Sequence, residues 1–498
     1  MAQPKLLIGT PEIIFGLKPG QGNLGRQGVN FSTGGMAPVN STDVVSFAKE
    51  GTFEVHAVVP KWESSLREFN ALTTKEVKLI EAALPDRHYL ISDASFNKVG
   101  VDGSNTQMYD DSKRFSSVDR AIAFSAGIVN MVLPRVRPDI VWINDWMLGP
   151  VGPVAKALGI KVVSTGHNIF TKLAHYDTLI NRGIELRNFD DYTPKEWIYE
   201  TDGLFDFMAS EINSSDDFTT VSNGFLERLL SGGMYDVAPT VTQAIWNKFD
   251  TPHPDGRSRV HGYLNPLQNE DSVFLNSIDK NGLEATIRKR KRNATKLRKK
   301  TGLKSGGDVL VFPNRLWSGQ KVPELLIDNA VDFAEKYNLR ILFLANGDPA
   351  IVDNVKQIAS ESKGLVAYAP FDKSIEELAK QSNKVSGVMT SDYEPCGGPN
   401  INYPVEGTLM IAHAIDGLKD TVTSLDAVAS TGTGFPYNDN NKAGLEYGIQ
   451  QMKKFSKLND SLRYHQHIRI AERGLRVNSA ASRAKHMVQD LFLPLYEE

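Results

Sequence analysis

The chain has a single cysteine, Cys396, in 498 residues. It can form no intrachain disulfide, which agrees with a reducing compartment, so the cytoplasm is the expected location. No window approaches the roughly 18 consecutive apolar residues of a membrane-spanning helix. The N-terminal apolar run Leu6 to Ile8 lacks the charged flank and length of a leader and reads as a first buried strand. An excess of either charge is also missing, since 56 Lys and Arg against 59 Asp and Glu leave a formal net charge of −3. Net charge therefore recruits neither nucleic acid nor membrane, and any steering of a ligand must be local. There is no internal repeat and no low-complexity tract.

What remains is the composition of a globular protein, 41% apolar and 23% charged. Its length favours two large domains. Short β-branched runs alternate with helical segments: Glu54 to Val59, Ile140 to Ile143, Lys161 to Ser164, Phe218 to Val221, Val309 to Phe312, Arg340 to Leu344 and Gly387 to Thr390. That is the rhythm of parallel α/β sheets, which bind ligands at the carboxyl ends of their strands. Strand signals stop between Asn265 and Ser305, so the expected division is 1–265, a linker and basic helix at 266–304, a second domain at 305–478 and a terminal helix at 479–498. Residues Ile287 to Lys300 carry nine Lys or Arg, but without interleaved aromatics they read as a solvated helix face. Met487, Leu491 and Leu495 recur at helical spacing near the C-terminus.

The most informative stretch is Ser391 to Thr408, S-D-Y-E-P-C-G-G-P-N-I-N-Y-P-V-E-G-T. Glu394 can reach a hydroxyl-rich group, and Gly397 and Gly398 leave backbone N–H groups open to a diphosphate at a helix start opened by Pro399. Such a helix start contributes about 0.3 to 1 kcal/mol, against the roughly 8 kcal/mol or more of an enzymatic rate enhancement. Cations must supply much of the rest, and Arg315 and Lys321 follow a strand directly. Further polar clusters at strand ends are Ser32 to Pro38 with Gly34 and Gly35, then Asn144-Asp145-Trp146, then Thr165-Gly166-His167-Asn168.

Taken in order, these segments resemble the bacterial glycogen synthase and plant starch synthase family, retaining glycosyltransferases of the GT-B fold. The strongest part is Glu394-Pro395-Cys396-Gly397, followed by Gly407-Thr408 and Asp416-Gly417-Leu418-Lys419-Asp420-Thr421-Val422. Echoes occur at Val55 to Pro60, Thr219 to Ser222, Gly262 to Asn265, Gly347-Asp348-Pro349 and Thr433-Gly434-Phe435. The resemblance implies two Rossmann-like α/β domains facing a deep cleft, with a final helix crossing back to the first. It implies catalytic roles for His167, Arg315, Lys321 and Glu394, and donor contacts at Gly34, Gly35, Asn265, Phe371, Cys396, Gly397, Gly398 and Pro399. Acceptor contacts would come from Asp145, Trp146 and Asn168.

The implied reaction moves a hexosyl unit, most simply glucosyl, from a nucleotide sugar to a glucan, oligosaccharide or small-molecule hydroxyl. The departing phosphate oxygen takes the acceptor's proton on the same face, so no protein nucleophile is required. The nucleotide sugar, ADP-, UDP- or GDP-linked, is a co-substrate; no cofactor is expected. No D-x-D sequence occurs, so a metal-bridged diphosphate is not indicated. Neither nucleic acid nor membrane is an expected partner, and a homo-oligomer is left open. A non-catalytic sugar- or nucleotide-binding subunit is the alternative.

The chain also departs from the family. Ser32 and Pro38 replace the lysine and aspartate of K-T-G-G-L-A-D, Asn144 replaces the histidine of H-D-W, and Gly398-Pro399-Asn400 replaces L-T-Q. The Arg315-to-Lys321 interval is one residue longer. Because the departures fall on substrate sites while Glu394, Arg315, Lys321 and His167 remain, altered specificity is expected rather than decay.

Overall fold

Runs that are apolar at every position need cover on both faces, and here they form parallel sheets flanked by helices. The computed structural model describes residues 3–12, 36–60, 87–96, 111, 115–184, 200–201, 204–234, 237–267 and 270–498. The chain divides into two compact units, Met1–Gln268 with Ala480–Glu498, and Asn269–Ser479.

Among the described residues of unit 1 the strands are β1 (Lys5–Gly9), β2 (Glu54–Pro60), β3 (His88–Ile91), β4 (Ile140–Asn144), β5 (Lys161–Gly166), β6 (Leu173–His175), β7 (Glu200–Thr201), β8 (Leu204–Asp206), β9 (Asp217–Thr220) and β10 (Val260–Gly262). Seven form one sheet in the order β10-β9-β5-β4-β1-β2-β3, with every pairing parallel. The other three make a small antiparallel sheet. The C-terminal residues belong to this unit. Met487, Leu491 and Leu495 are fully buried in the expected terminal helix, which runs unbroken from Ala480 to Glu497 and widens to π-helical at Val488–Phe492. Phe492 packs edge-on against Phe47, centroids 5.5 Å apart.

Unit 2 holds β11 (Asp308–Phe312), β12 (Leu339–Leu344), β13 (Val366–Ala369), β14 (Val385–Met389), β15 (Met410–His413) and β16 (Phe435–Tyr437). They run parallel in the order β13-β12-β11-β14-β15-β16. The period of two sorts the side chains cleanly. Leu310, Phe312, Ile341 and Phe343 enter one apolar cluster, whereas Val309, Val311, Leu342 and Leu344 enter another.

The expected linker at 266–304 is instead largely part of unit 2. Its basic helix, Leu283–Thr301, buries Thr286, Arg290, Asn293, Ala294 and Leu297 on one stripe, and Leu297 joins the core cluster of Val309 and Val311. The basic helix is where the sequence placed it; its inner stripe is partly polar, which hides from the sequence that it packs into the unit 2 core.

Candidate active site

All six strands of unit 2 point the same way, so the residues that follow them gather at one edge. The chain moves outward from β11 to β12 and β13, then returns to β14 on the other side of β11. This reversal creates the crevice in which open parallel sheets bind ligands. Arg315 and Lys321 follow β11, and Glu394 follows β14.

The two chain segments meet in a charge pair. Lys321 Nζ lies 2.6 Å from Glu394 Oε2, and Ser391 Oγ donates to the same oxygen at 2.9 Å. Both side chains of the pair are under a tenth exposed, 8% and 9%. Solvent screens such a pair little, and removing either partner leaves a buried charge at a cost of about 3–5 kcal/mol. Because both bonds fall on Oε2, Oε1 is left to accept from an incoming hydroxyl.

The backbone around the pair is fixed from several sides. Glu394 N–H donates to Asp416 Oδ2 at 2.8 Å, and Gly417 N–H donates to the Glu394 carbonyl at 3.1 Å. Thr390 Oγ1 lies 2.9 Å from the carbonyl oxygens of both Lys321 and Val322. Val322 and Asp416 are left-handed, with φ of 42° and 43°, a conformation that costs non-glycine residues energy and survives only where the surroundings impose it. The ring nitrogens of His413 face the carbonyls of Ser391 at 2.8 Å and Asn438 at 3.1 Å.

Gly397 has φ 79°, and a Cβ there would stand 2.2 Å from Asn400 Oδ1, so only glycine fits. The helix that follows, Pro399–Val405, has seven residues with Pro399 in its first turn and Pro404 inside. So short a helix gives a weaker dipole than its start suggested, which shifts the electrostatic burden to the cations. Asn400 turns inward, donating to the Cys396 carbonyl at 3.1 Å and Thr421 Oγ1 at 2.6 Å. It braces the loop and does not stand in for the family's hydroxyl. Cys396 is buried, whereas Gly398 is exposed. Arg315 projects outward on the buried Leu316, whose carbonyl would sit 2.2 Å from a Cβ on Gly347. Phe371 is 50% exposed, and its N–H donates to Asn346 Oδ1 at 3.1 Å beyond the end of β12.

In unit 1 three adjacent strand ends are tied together. Asn144 Nδ2 donates to the Gly9 carbonyl at 3.3 Å, which turns its Oδ1 toward His167 Nε2 at 3.1 Å. That oxygen accepts, so the proton of a neutral His167 ring sits on Nε2 and Nδ1 is the acceptor. Burial, aided by the positive charge of Arg483, holds the His167 ring down at about 3, so it is neutral near pH 7.

Asp145 has φ 73° and ψ 160°, a region almost confined to glycine. Its N–H donates to the Thr165 carbonyl at 2.9 Å, and its carboxyl accepts from Trp146 N–H at 3.0 Å. Burial, then Glu12, pushes this carboxyl up to about 7. Glu211 is fully buried, neither carboxyl oxygen has a hydrogen-bond partner, and burial with Asp145 raises it well above its ordinary range. Trp146 is buried with its ring edge-on to Phe207, centroids 5.8 Å apart. Asp145 and Trp146 thus serve here as internal struts, while Asn168 is half-buried beside His167. Asn265 is half-buried, just after the Tyr263 and Leu264 carbonyls that accept from Arg483 Nη1 at 2.9 and 2.7 Å. Gly34 and Gly35 lie outside the described residues.

Sequence reading passed over Ser391, Asp416, His413 and Arg483. Ser391 and Asp416 stand inside motifs already quoted, so proximity to Glu394 was the available signal. Arg483, paired with buried Asp43 at 3.1 Å across 440 positions, gave none.

A family model for the starch synthase catalytic domain matches residues 29–237. The chain is 26% identical over 375 residues to a glycogen synthase of Lactiplantibacillus plantarum, covering 72% of each. It is 24% identical to one of Desulfitobacterium hafniense, covering 93% of this chain and 96% of the relative. Among solved structures, the catalytic domain of starch synthase IV from Arabidopsis thaliana, bound to ADP and acarbose, aligns over the full length of both chains with a TM-score of 0.72 at 16% identity. Sucrose-phosphate synthase from Thermosynechococcus elongatus aligns over 99% of both with a TM-score of 0.55 at 13% identity. With the GT-B fold in place, these likenesses support a divergent member of the glycogen synthase and starch synthase family and indicate a glycosyltransferase.

Proposed function

We propose that unit 2 binds a nucleoside diphosphate glucose and that the chain transfers its glucosyl unit, with retention, to a hydroxyl of an α-glucan or shorter oligosaccharide. The observation that carries this reading is the buried Lys321–Glu394 pair at the β11/β14 reversal. Glu394 accepts from sugar hydroxyls through Oε1 while holding Lys321 in place. The remaining N–H donors of Lys321, with the exposed guanidinium of Arg315, take the diphosphate.

As the glycosidic C–O bond breaks, negative charge grows on the leaving phosphate. Cations fixed beforehand stabilise it without reorganising at that moment. The same phosphate oxygen receives the acceptor's proton, so neither a protein nucleophile nor a metal is needed. Neutral His167, with Nδ1 accepting, suits contact with a sugar hydroxyl. Phe371 offers a stacking face to the base, which selects for an aromatic base without naming it.

The donor- and acceptor-side motifs differ from those of the family's glucan synthases where Asn144 and Gly398-Pro399-Asn400 replace them. Turnover of ADP-, UDP- and GDP-glucose, each with and without an α-glucan and with EDTA present, tests this. Transfer from at least one donor is the expected result. Binding without turnover of any would replace it with a non-catalytic nucleotide-sugar-binding role.

A further inference from the structure

Between Arg315 and Lys321 the chain carries an aromatic residue that donor binding leaves unused. Trp317 is 58% exposed, although its carbonyl accepts the Lys321 N–H at 2.9 Å, one turn before the buried Lys321–Glu394 pair. Its backbone is held at both ends. Leu316 N–H donates to the Asn346 carbonyl and Asp348 N–H to the Leu316 carbonyl, both at 2.9 Å, which pairs Leu316 in parallel with Gly347. Asp392 N–H donates to the Gln320 carbonyl at 3.0 Å and ties the far end of the loop to the segment after β14. Trp317 itself is extended, with φ −139° and ψ 114°. Successive side chains on such a backbone alternate in direction. With Leu316 fully buried, Arg315 and Trp317 project to the same outer side, and both are exposed.

The indole is also unengaged. Among the described residues its N–H has no hydrogen-bond partner, whereas Trp246, the other exposed tryptophan described, donates from Nε1 to the Leu230 carbonyl at 3.1 Å. Gly319 brings no side chain to the edge of the ring, where a Cβ would stand 3.5 Å from Trp317 Nε1. A flat apolar face with one N–H at its rim suits a pyranose, whose C–H groups form an apolar face and whose hydroxyls form a polar rim.

Along this edge of the sheet each part of the donor already has a partner. The base falls to Phe371 beyond β13, the diphosphate to Arg315 and Lys321 after β11, and the glucosyl unit to Glu394 after β14. Phe371 lies two strands from Trp317, about 10 Å away. The acceptor is the ring left without a partner in unit 2, and retention dictates where it lies. The anomeric C–O bond to phosphate breaks, the acceptor oxygen bonds to that carbon on the same face, and the acceptor's proton passes to the released phosphate oxygen. The acceptor hydroxyl and the leaving oxygen must therefore come within about 3–3.5 Å of each other. A loop that holds the phosphate then borders the acceptor as well, and Trp317 is the exposed ring of that loop.

We propose that Trp317 is an acceptor-binding residue that stacks on the glucose ring receiving the new bond, and so selects the terminal unit of an α-glucan over acceptors without a flat C–H face. Resting on the donor reading of the Lys321–Glu394 site, this role adds the residue that chooses the acceptor. The interval that is one residue longer than the family's is the one that contains Trp317.

The test is calorimetry on the full-length wild type, Trp317→Phe and Trp317→Ala, each checked by its melting curve. ADP, UDP and GDP are titrated first, and maltohexaose then follows in the presence of the diphosphate that binds. Diphosphate affinity should agree among the three proteins within about twofold. Maltohexaose affinity should fall about tenfold in Trp317→Ala and less in Trp317→Phe, which keeps a stacking face. Maltohexaose should also change the tryptophan fluorescence of the wild type and leave that of Trp317→Ala unchanged. Equal maltohexaose affinity in wild type and Trp317→Ala, a fluorescence change that persists in Trp317→Ala, no maltohexaose binding to a chain that binds diphosphate, or an equal loss of diphosphate affinity would each overturn the role of Trp317 and leave the donor site standing. No diphosphate binding to the wild type would overturn both.

Discussion

Unit 2 keeps its site charged, and unit 1 keeps its site neutral. Around Glu394 a carboxylate and an ammonium are paired at 2.6 Å with a hydroxyl on the same oxygen. Around His167 the ring is held neutral, while Asp145 and Glu211 are pushed toward the protonated form by burial, with Glu12 adding to the first and Asp145 to the second. The contrast matches two kinds of ligand. A diphosphate leaving group needs fixed positive charge, whereas a sugar hydroxyl needs neutral donors and acceptors that do not compete for its proton.

The sharpest way to break the comparison is to neutralise unit 2. Glu394→Gln keeps the shape but leaves Lys321 without its buried counter-charge, and kcat/KM for the donor should fall about a thousandfold or more. A steady-state assay beside a melting curve checks it. Loss of turnover with a normal melt supports a catalytic role, and an undiminished rate removes Glu394 from the site.

The next prediction concerns unit 1. Burial lifts the Asp145 carboxyl from 3.8 to about 7, so between those values the folded chain retains a proton that the unfolded chain has lost. The wild type therefore loses stability at this site as pH rises from about 4 to 7. Asp145→Asn has no charge to bury and keeps the acceptor for Trp146 N–H. Its melting temperature relative to wild type should rise between about pH 5 and pH 8, by roughly 3–5 °C. His167 works in the opposite sense: its depressed value favours binding of protons by the unfolded chain, so stability falls as pH drops below 6.5. A pH-independent difference for Asp145→Asn would mean that this carboxylate is already charged and that unit 1 is not a neutral site.

The smallest expected effect is at the rim. Phe371→Ala, at a half-exposed ring, should raise the donor KM only about three- to tenfold with kcat unchanged. It sharpens the comparison by separating base binding from the charged centre.

Much of this contrast was legible in the sequence for unit 2 and little of it for unit 1. The runs at Val309, Arg340 and Gly387 announced β11, β12 and β14 because β-branched and aromatic residues filled consecutive buried positions. The short strands β13, β15 and β16 carry weaker runs, such as Phe435-Pro436-Tyr437, and were not anticipated. Glu394 and Lys321 could be named because each stands beside a turn-forming motif, but nothing in one dimension says that residues 73 positions apart touch. Asn400, in the segment that replaces L-T-Q, braces the loop through the Cys396 carbonyl and Thr421, a role that its place in the sequence does not reveal. In unit 1, the neutral state of His167 follows from burial and from Arg483, far from it in sequence, and the raised Asp145 carboxyl from burial and Glu12, neither of which a motif reveals.

The central claim is that the Lys321–Glu394 pair is the donor site, and calorimetric titration of ADP, UDP and GDP into the wild type and Lys321→Gln tests it most directly. The account predicts that at least one diphosphate binds the wild type and that Lys321→Gln weakens it about tenfold or more, since one charge-assisted contact is lost. Equal affinity in both proteins would contradict it.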